Sequence, residues 1–300
     1  MRNIFRQVKT ISTMVYSLIQ GRRYLKPYTP QTLDYCESVG EAKQLDLYLP
    51  LTATDQPLPV IVWFHGGAWK MGNRASIERV VAEQLARGFA VASVSYTLSD
   101  RAQWPVQCFE AKAALRYLRA HAIELGIDPN KIIAGGMSAG AHMACMLGVT
   151  AEHPVLNGGL GEHLEQSTAV QGVLALYPPT DFLSISKDFD GLLDYYAEDS
   201  PVTQLLGETI EAAPHKSDLA SPLKLLQDSA SNPACPPSLL LHGKADPIVP
   251  VAQSELMHEA LQALGLESEL VLVDGCTHGD YRFNLDEPTE RIHRFLDRLL

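Results

Sequence analysis

The stretch Lys131-Ile132-Ile133-Ala134-Gly135-Gly136-Met137-Ser138-Ala139-Gly140-Ala141 decides how this chain is read. The apolar run Ile132–Gly135 makes Lys131–Gly135 read as a strand, and Ala139–Val149 reads as a helix. Between them lies Gly136-Met137-Ser138-Ala139-Gly140, a serine bracketed by glycines at a strand-to-helix junction. That is the pattern of a nucleophile elbow. Small residues let the backbone bend tightly and leave a hydroxyl exposed at the top of a sheet. The helix that follows aims backbone N–H groups at developing negative charge. Taken alone, the pentapeptide is equally the composition of a Gly/Ser/Ala-rich loop, so its context has to decide.

Outward from the elbow, short apolar runs alternate with helical patterns. Leu45–Leu49, Val60–Phe64, Phe89–Val94, Val170–Leu176, Ser238–His242 and Glu269–Val273 read as strands. Ile77–Arg87, Pro105–Leu125, Val251–Leu264 and Glu287–Leu300 read as helices, with Gly88 and Gly126 as stops. Continuous apolar strands alternating with helices predict an α/β fold: a mostly parallel central sheet covered on both faces. Residues 182–232 break the rhythm and read as a small cap-like insertion, with 33–300 forming one domain.

In such a sheet, ligand groups collect at the carboxyl ends of strands. Three more strand ends carry suggestive residues. His65-Gly66-Gly67-Ala68-Trp69 follows Val60–Phe64, and paired glycines let backbone N–H groups approach a ligand. The N–H groups of Gly66, Gly67 and Ala139 are candidates for an oxyanion hole. Asp246 follows Ser238–His242 in a Gly/Pro-bounded loop, where a carboxylate can orient an imidazole. His278, in Gly275-Cys276-Thr277-His278-Gly279, follows Glu269–Val273. Asp274 and Asp280 are alternative acids, less suited because they sit next to His278 in sequence. His65 and His242 read as structural. The order Ser138, Asp246, His278 is that of α/β-hydrolases.

With these motifs in place the chain resembles the α/β-hydrolase fold esterases with an HGGxW oxyanion loop, the carboxylesterase and feruloyl/acetylxylan esterase-like group. The resemblance also draws on Leu45-Asp46-Leu47-Tyr48-Leu49-Pro50, Gly126-Ile127-Asp128-Pro129, Pro179-Thr180-Asp181-Phe182 and Ala220-Ser221-Pro222. It implies a serine hydrolase of small to medium carboxylic esters, acting through an acyl-enzyme, with Ser138, Asp246 and His278 as the triad and no metal or cofactor. Trp69, Tyr96 and residues 182–232 are then expected as pocket walls. Thr97 stands where relatives usually carry Arg. An arylformamidase on the same frame and a non-catalytic binding protein are the rival readings. A peptidase of the prolyl-oligopeptidase kind would need a further access-limiting domain.

Composition narrows the classes. Hydrophobic residues make up 46% and charged residues 20% of the 300, as in ordinary globular proteins. A net charge of −11 argues against nucleic acid as a partner. Five scattered cysteines without a CxxC pair point to reduced thiols and a cytoplasmic protein. The N-terminus differs from the rest. Six of the 24 basic residues (Arg2, Arg6, Lys9, Arg22, Arg23 and Lys26) precede the first acid, Asp34, leaving 18 basic against 35 acidic residues beyond it. Ile4, Val8, Ile11, Val15, Leu18 and Ile19 recur at helical spacing. Residues 1–32 are therefore expected as a basic amphipathic helix. It would pack on the domain or cover its mouth, or else contact a membrane surface or a second copy. A cleaved secretory signal is poorly supported, since no A-x-A site follows the uncharged run Thr10–Gly21.

Overall fold

Along Val60-Ile61-Val62-Trp63-Phe64 successive side chains enter two different cores. Val60, Val62 and Phe64 join one apolar cluster, and Ile61 and Trp63 join another. This is the period-two alternation of a strand buried on both faces. The computed structural model describes residues 2–151, 153–185, 189–228 and 235–300. Its eight strands are β1 (Gln31–Ser38), β2 (Glu41–Tyr48), β3 (Leu58–Phe64), β4 (Ala90–Val94), β5 (Ile127–Met137), β6 (Gly172–Leu176), β7 (Ser238–Gly243) and β8 (Ser268–Val273). They form one sheet in the order β1-β2-β4-β3-β5-β6-β7-β8. From β4 to β8 every pairing is parallel, while β1 and β2 are antiparallel to their neighbours.

The helices are α1 (Arg2–Tyr24), α2 (Arg79–Ala82), α3 (Val106–Ala120), α4 (Ala122–Leu125), α5 (Ala139–Val149), α6 (Pro201–Leu206), α7 (Pro214–Leu219), α8 (Pro222–Asp228), α9 (Ala252–Ala263) and α10 (Asp286–Arg298). α3, α5, α8 and α9 supply Leu115, Met143, Leu226 and Met257 to one core. α2 and α10 supply Val80, Val81, Ile292 and Phe295 to the other. Phe182, Ile185, Tyr195, Val202 and Leu205, from the segment between β6 and β7, join the first core. That segment holds α6 to α8. Residues 186–188 and 229–232 of the expected insertion lie outside the described residues.

Three differences from the sequence reading have physical causes. β1 was not anticipated, because its edge position leaves much of Gln31–Ser38 exposed and polar. The helix expected over Pro105–Leu125 breaks at His121, whose φ of −101° and ψ of 13° are not helical. The one expected over Ile77–Arg87 is α-helical only as α2; Glu83–Arg87 tightens into a 3₁₀ turn that ends at Gly88.

Candidate active site

The elbow is strained. Ser138 has a φ of 52° and a ψ of −121°, a region that residues with a side chain rarely enter. Of the other non-glycine residues with positive φ among the described residues, Ala68, Trp69 and Tyr177 also lie beyond carboxyl ends of central strands, and Val39 sits in the turn between β1 and β2. Backbone strain is thus concentrated around one point of the sheet. The turn is pinned by a hydrogen bond from the Ser138 N–H to the Leu176 carbonyl (2.9 Å), and α5 starts directly after it.

The structure brings Ser138, His278 and Asp246 into one line. Ser138 Oγ lies 2.9 Å from His278 Nε2, and His278 Nδ1 lies 2.7 Å from Asp246 Oδ2. Asp246 Oδ1 accepts from the N–H groups of Ile248 (2.8 Å) and Val249 (3.0 Å). Each carboxylate oxygen therefore has its own fixed task. Burial would raise this carboxyl. The neighbouring His278 and His242 outweigh burial and hold it well below the usual carboxylate range. His242 braces the same loop: its Nε2 lies 3.1 Å from the Val249 carbonyl and its Nδ1 lies 2.7 Å from Ser254 Oγ.

The two alternative acids are placed elsewhere. Asp274 pairs with Lys244 at 2.9 Å on the surface. Asp280 is buried, pairs with Arg282, and accepts from the Thr277 N–H at 3.2 Å. It thereby shapes the loop that carries His278.

On the other side of Ser138 stands the loop after β3. A Cβ on Gly66 would sit 3.0 Å from the Met137 carbonyl oxygen and 3.4 Å from Ser138 Cβ, so glycine allows the two strand ends to approach. Gly66 thus lies against Ser138, with Ala139 at the first turn of α5, where backbone N–H groups have no partner within the helix.

Residues 45–261 match the BD-FAE family. The chain belongs to that family. It is 30% identical to esterase LipC of Mycobacterium tuberculosis over 79% of this chain and 57% of that protein. It is 29% identical to an isoprenylcysteine alpha-carbonyl methylesterase of Arabidopsis thaliana over 79% of this chain and 54% of the other. The chain thus spans little more than half the length of these relatives. Among solved structures, a truncated carbohydrate esterase from gut microbiota superposes with a TM-score of 0.80 at 27% identity. That match covers 90% of this chain and 96% of the other. A thermophilic esterase of Thermogutta terrifontis with propionate bound superposes at 0.71 and 26% identity, covering 90% and 94%. The fold is that of the α/β-hydrolase esterases.

In this BD-FAE chain the expected pocket walls are buried rings. The Tyr96 hydroxyl donates to the His65 carbonyl at 2.9 Å, and its ring stacks on His65 at 4.3 Å. Tyr96 therefore braces the Gly66–Gly67 loop. His65 is structural, with Nδ1 2.7 Å from the Gly66 carbonyl, and burial pushes its imidazole down to about 4. Trp69 is buried edge-on against His142 and Phe182. Thr97 is tied to a buried carboxylate on α3. Its N–H and hydroxyl both donate to the buried Glu110, at 2.6 and 2.5 Å.

Two residues of the site were missed in the sequence. Tyr177 presents its ring to His278 at 4.6 Å, and its hydroxyl hydrogen-bonds the buried Glu78. Glu78 also accepts from Ser17 of α1, and burial pushes its carboxyl up to about 7. Tyr177 was legible as the first residue beyond a central strand. Glu78 was not, since one acid among Ile77, Val80 and Val81 looks like an ordinary helix surface.

Proposed function

We propose that this chain is a serine esterase that cleaves carboxylic esters of small to medium size through an acyl-enzyme. The observation that carries the reading is the line Ser138 Oγ–His278 Nε2–Asp246 Oδ2, at 2.9 and 2.7 Å, set opposite the Gly66–Gly67 loop. His278 Nε2 takes the Ser138 proton as Oγ attacks the ester carbonyl. The imidazolium so formed is stabilised through Nδ1–H by the ionised Asp246. The N–H groups of Gly66, Gly67 and Ala139 hold the oxyanion; losing a donor at such a hole costs roughly 10²–10³ in rate. His278 then protonates the leaving alcohol, the acyl group stays on Ser138, and a water deprotonated by His278 releases it.

The matched relatives support this reading, being named as esterases or methylesterases. A fluorophosphonate probe followed by peptide mass spectrometry tests the nucleophile. The label is expected on Ser138; a label on another serine overturns the assignment. The substrate class is tested with p-nitrophenyl acyl esters, apolar methyl esters, feruloyl esters, acetylated xylan and N-formylkynurenine. Turnover of short acyl esters is expected. Turnover of N-formylkynurenine alone would replace the esterase with a formamidase.

A further inference from the structure

α1 is an amphipathic helix seated the opposite way round from the usual one. Its apolar residues Ile4, Val8, Ile11, Val15 and Ile19 are 64%, 58%, 53%, 50% and 40% exposed. At spacings of four, three, four and four they form one stripe, about 22 Å long at 1.5 Å per residue. The face turned to the domain carries small polar residues beside the partly buried Leu18 and Tyr24. Thr10 and Ser17 are buried, and Thr13 Oγ1 lies 3.2 Å from Thr277 Oγ1. Asn284 Nδ2 donates to Ser17 Oγ at 2.9 Å, and Ser17 donates to Glu78. A Cβ on Gly21 would lie 1.9 Å from the Ile77 carbonyl oxygen, so the helix is held against the domain at that point. Rotating α1 to bury the stripe would break every one of these contacts.

A locked helix with an apolar stripe outward needs a cover, and charge chooses which. Lys9, Arg22, Arg23 and Lys26 are exposed along and beyond the same helix, and the first 33 residues contain no acid. A second copy of α1 would bring like charges together, with no carboxylate on either helix to pair with them. A bilayer carrying anionic headgroups offers an apolar phase for the stripe and negative charge for the flanks. Tyr16, half exposed and edge-on to Tyr281 at 5.3 Å, adds an amphipathic ring at the boundary. No described helix is long and apolar enough to cross a membrane, which leaves a seat in the surface plane.

We propose that α1 docks this protein on anionic lipid surfaces. The Ile4–Ile19 stripe enters the boundary between headgroups and acyl chains, while Lys9, Arg22, Arg23 and Lys26 meet the phosphates. The same helix touches Thr277, the neighbour of His278, through its opposite face, so docking sets the histidine loop about one helix diameter, roughly 10 Å, from the lipid. The docking itself does not depend on which ester is cut, or on whether one is.

Vesicle flotation of the full chain tests this, using phosphatidylcholine alone and an equal mixture with phosphatidylglycerol. Wild type is expected to float with the anionic vesicles and not with the neutral ones. Raising salt to about 1 M, where screening shortens to about 3 Å, should weaken the binding. A V8E/I11E/V15E variant, checked for fold by circular dichroism, should lose binding at least about tenfold. The proposal is overturned if wild type ignores anionic vesicles, or if the folded triple variant binds them equally well. It is also overturned if light scattering finds a dimer that the triple variant dissolves, which would give the stripe to a second copy. Flotation needs no turnover, so an inactive protein that still floats would sink only the esterase reading.

Discussion

At the carboxyl ends of the strands, polar groups are buried: His278, Asp246 and Glu78 sit among aromatic rings and apolar side chains, with Ser138 half-buried beside them. Along α1, apolar groups are exposed while threonine and serine face inward. Globular proteins normally do the reverse in both places, and departures of either kind are the informative ones. The two regions tolerate their departure differently. At the site, every buried polar group of the line has a partner, so burial strengthens the interactions that polarise Ser138. On α1 no partner among the described residues covers the stripe, and the cover we propose for it is a lipid surface. The first region is complete in itself and the second is half of an interface.

This contrast can be broken from either side. The largest effect is expected from Ser138→Ala. Ester hydrolysis should fall on the order of 10⁶-fold, as when a comparable nucleophile is removed from a serine protease, with the thermal midpoint unchanged. Stopped assays and calorimetry on the same sample check both. Survival of most activity would remove the strand-end site from the account. Asp246→Asn comes next, with kcat lower by about 10⁴ on the protease precedent. A rate near wild type would show that the His278–Asp246 contact is not used.

Glu78→Gln should act on stability through pH. Burial holds Glu78 at about 7 against an ordinary 4.5, so between those values the unfolded chain releases a proton that the folded chain keeps. That contribution falls as pH rises. His65 and His142 are both held at about 4 against 6.5, so between those values the unfolded chain binds protons that the folded chain does not, and their contribution rises with pH. The two histidines oppose the one carboxyl. Urea titrations across about pH 4.5 to 6.5 should therefore show a steeper rise for Glu78→Gln, by up to about 1.4 kcal/mol per pH unit. Parallel slopes would mean that Glu78 is not buried as a protonated acid. The smallest effect is expected from Val15→Glu on α1, where stability should change by no more than about 0.5 kcal/mol, as at other exposed positions. A loss of several kcal/mol in a chemical denaturation series would mean that the stripe is packed after all.

The site was legible because it is written locally. Each of its parts follows a recognisable strand: Gly66–Gly67 after Val60–Phe64, Ser138 after the run at Ile132, Asp246 after Leu239–Leu241, His278 after Leu270–Val273. Chain order then matches spatial order around the sheet. Tyr177 and Glu78 were not legible as a pair, because 99 residues of sequence separate them and only the sheet order puts them together. α1 was legible as a helix from its periodicity, but its orientation was not. Periodicity gives the apolar face of a helix without saying whether that face turns inward. Gly21, Ser17 and Thr10, which make the inward face fit, looked like interruptions of the apolar pattern. β1 was invisible for the opposite reason: as an edge strand it has few apolar positions to reveal it.

The division of labour between the two oxygens of Asp246 has a consequence for any amide placed there. Oδ1 accepts two backbone N–H groups, so an asparagine has to put its carbonyl oxygen at that position. Its NH₂ is then forced to point at His278 Nδ1. That nitrogen must become the acceptor, and the ring proton must move to Nε2, facing the serine. The backbone turn at Ile248 and Val249 thus fixes, from two and three residues along the chain, which way a mutated side chain can flip, and so which tautomer of the histidine it imposes.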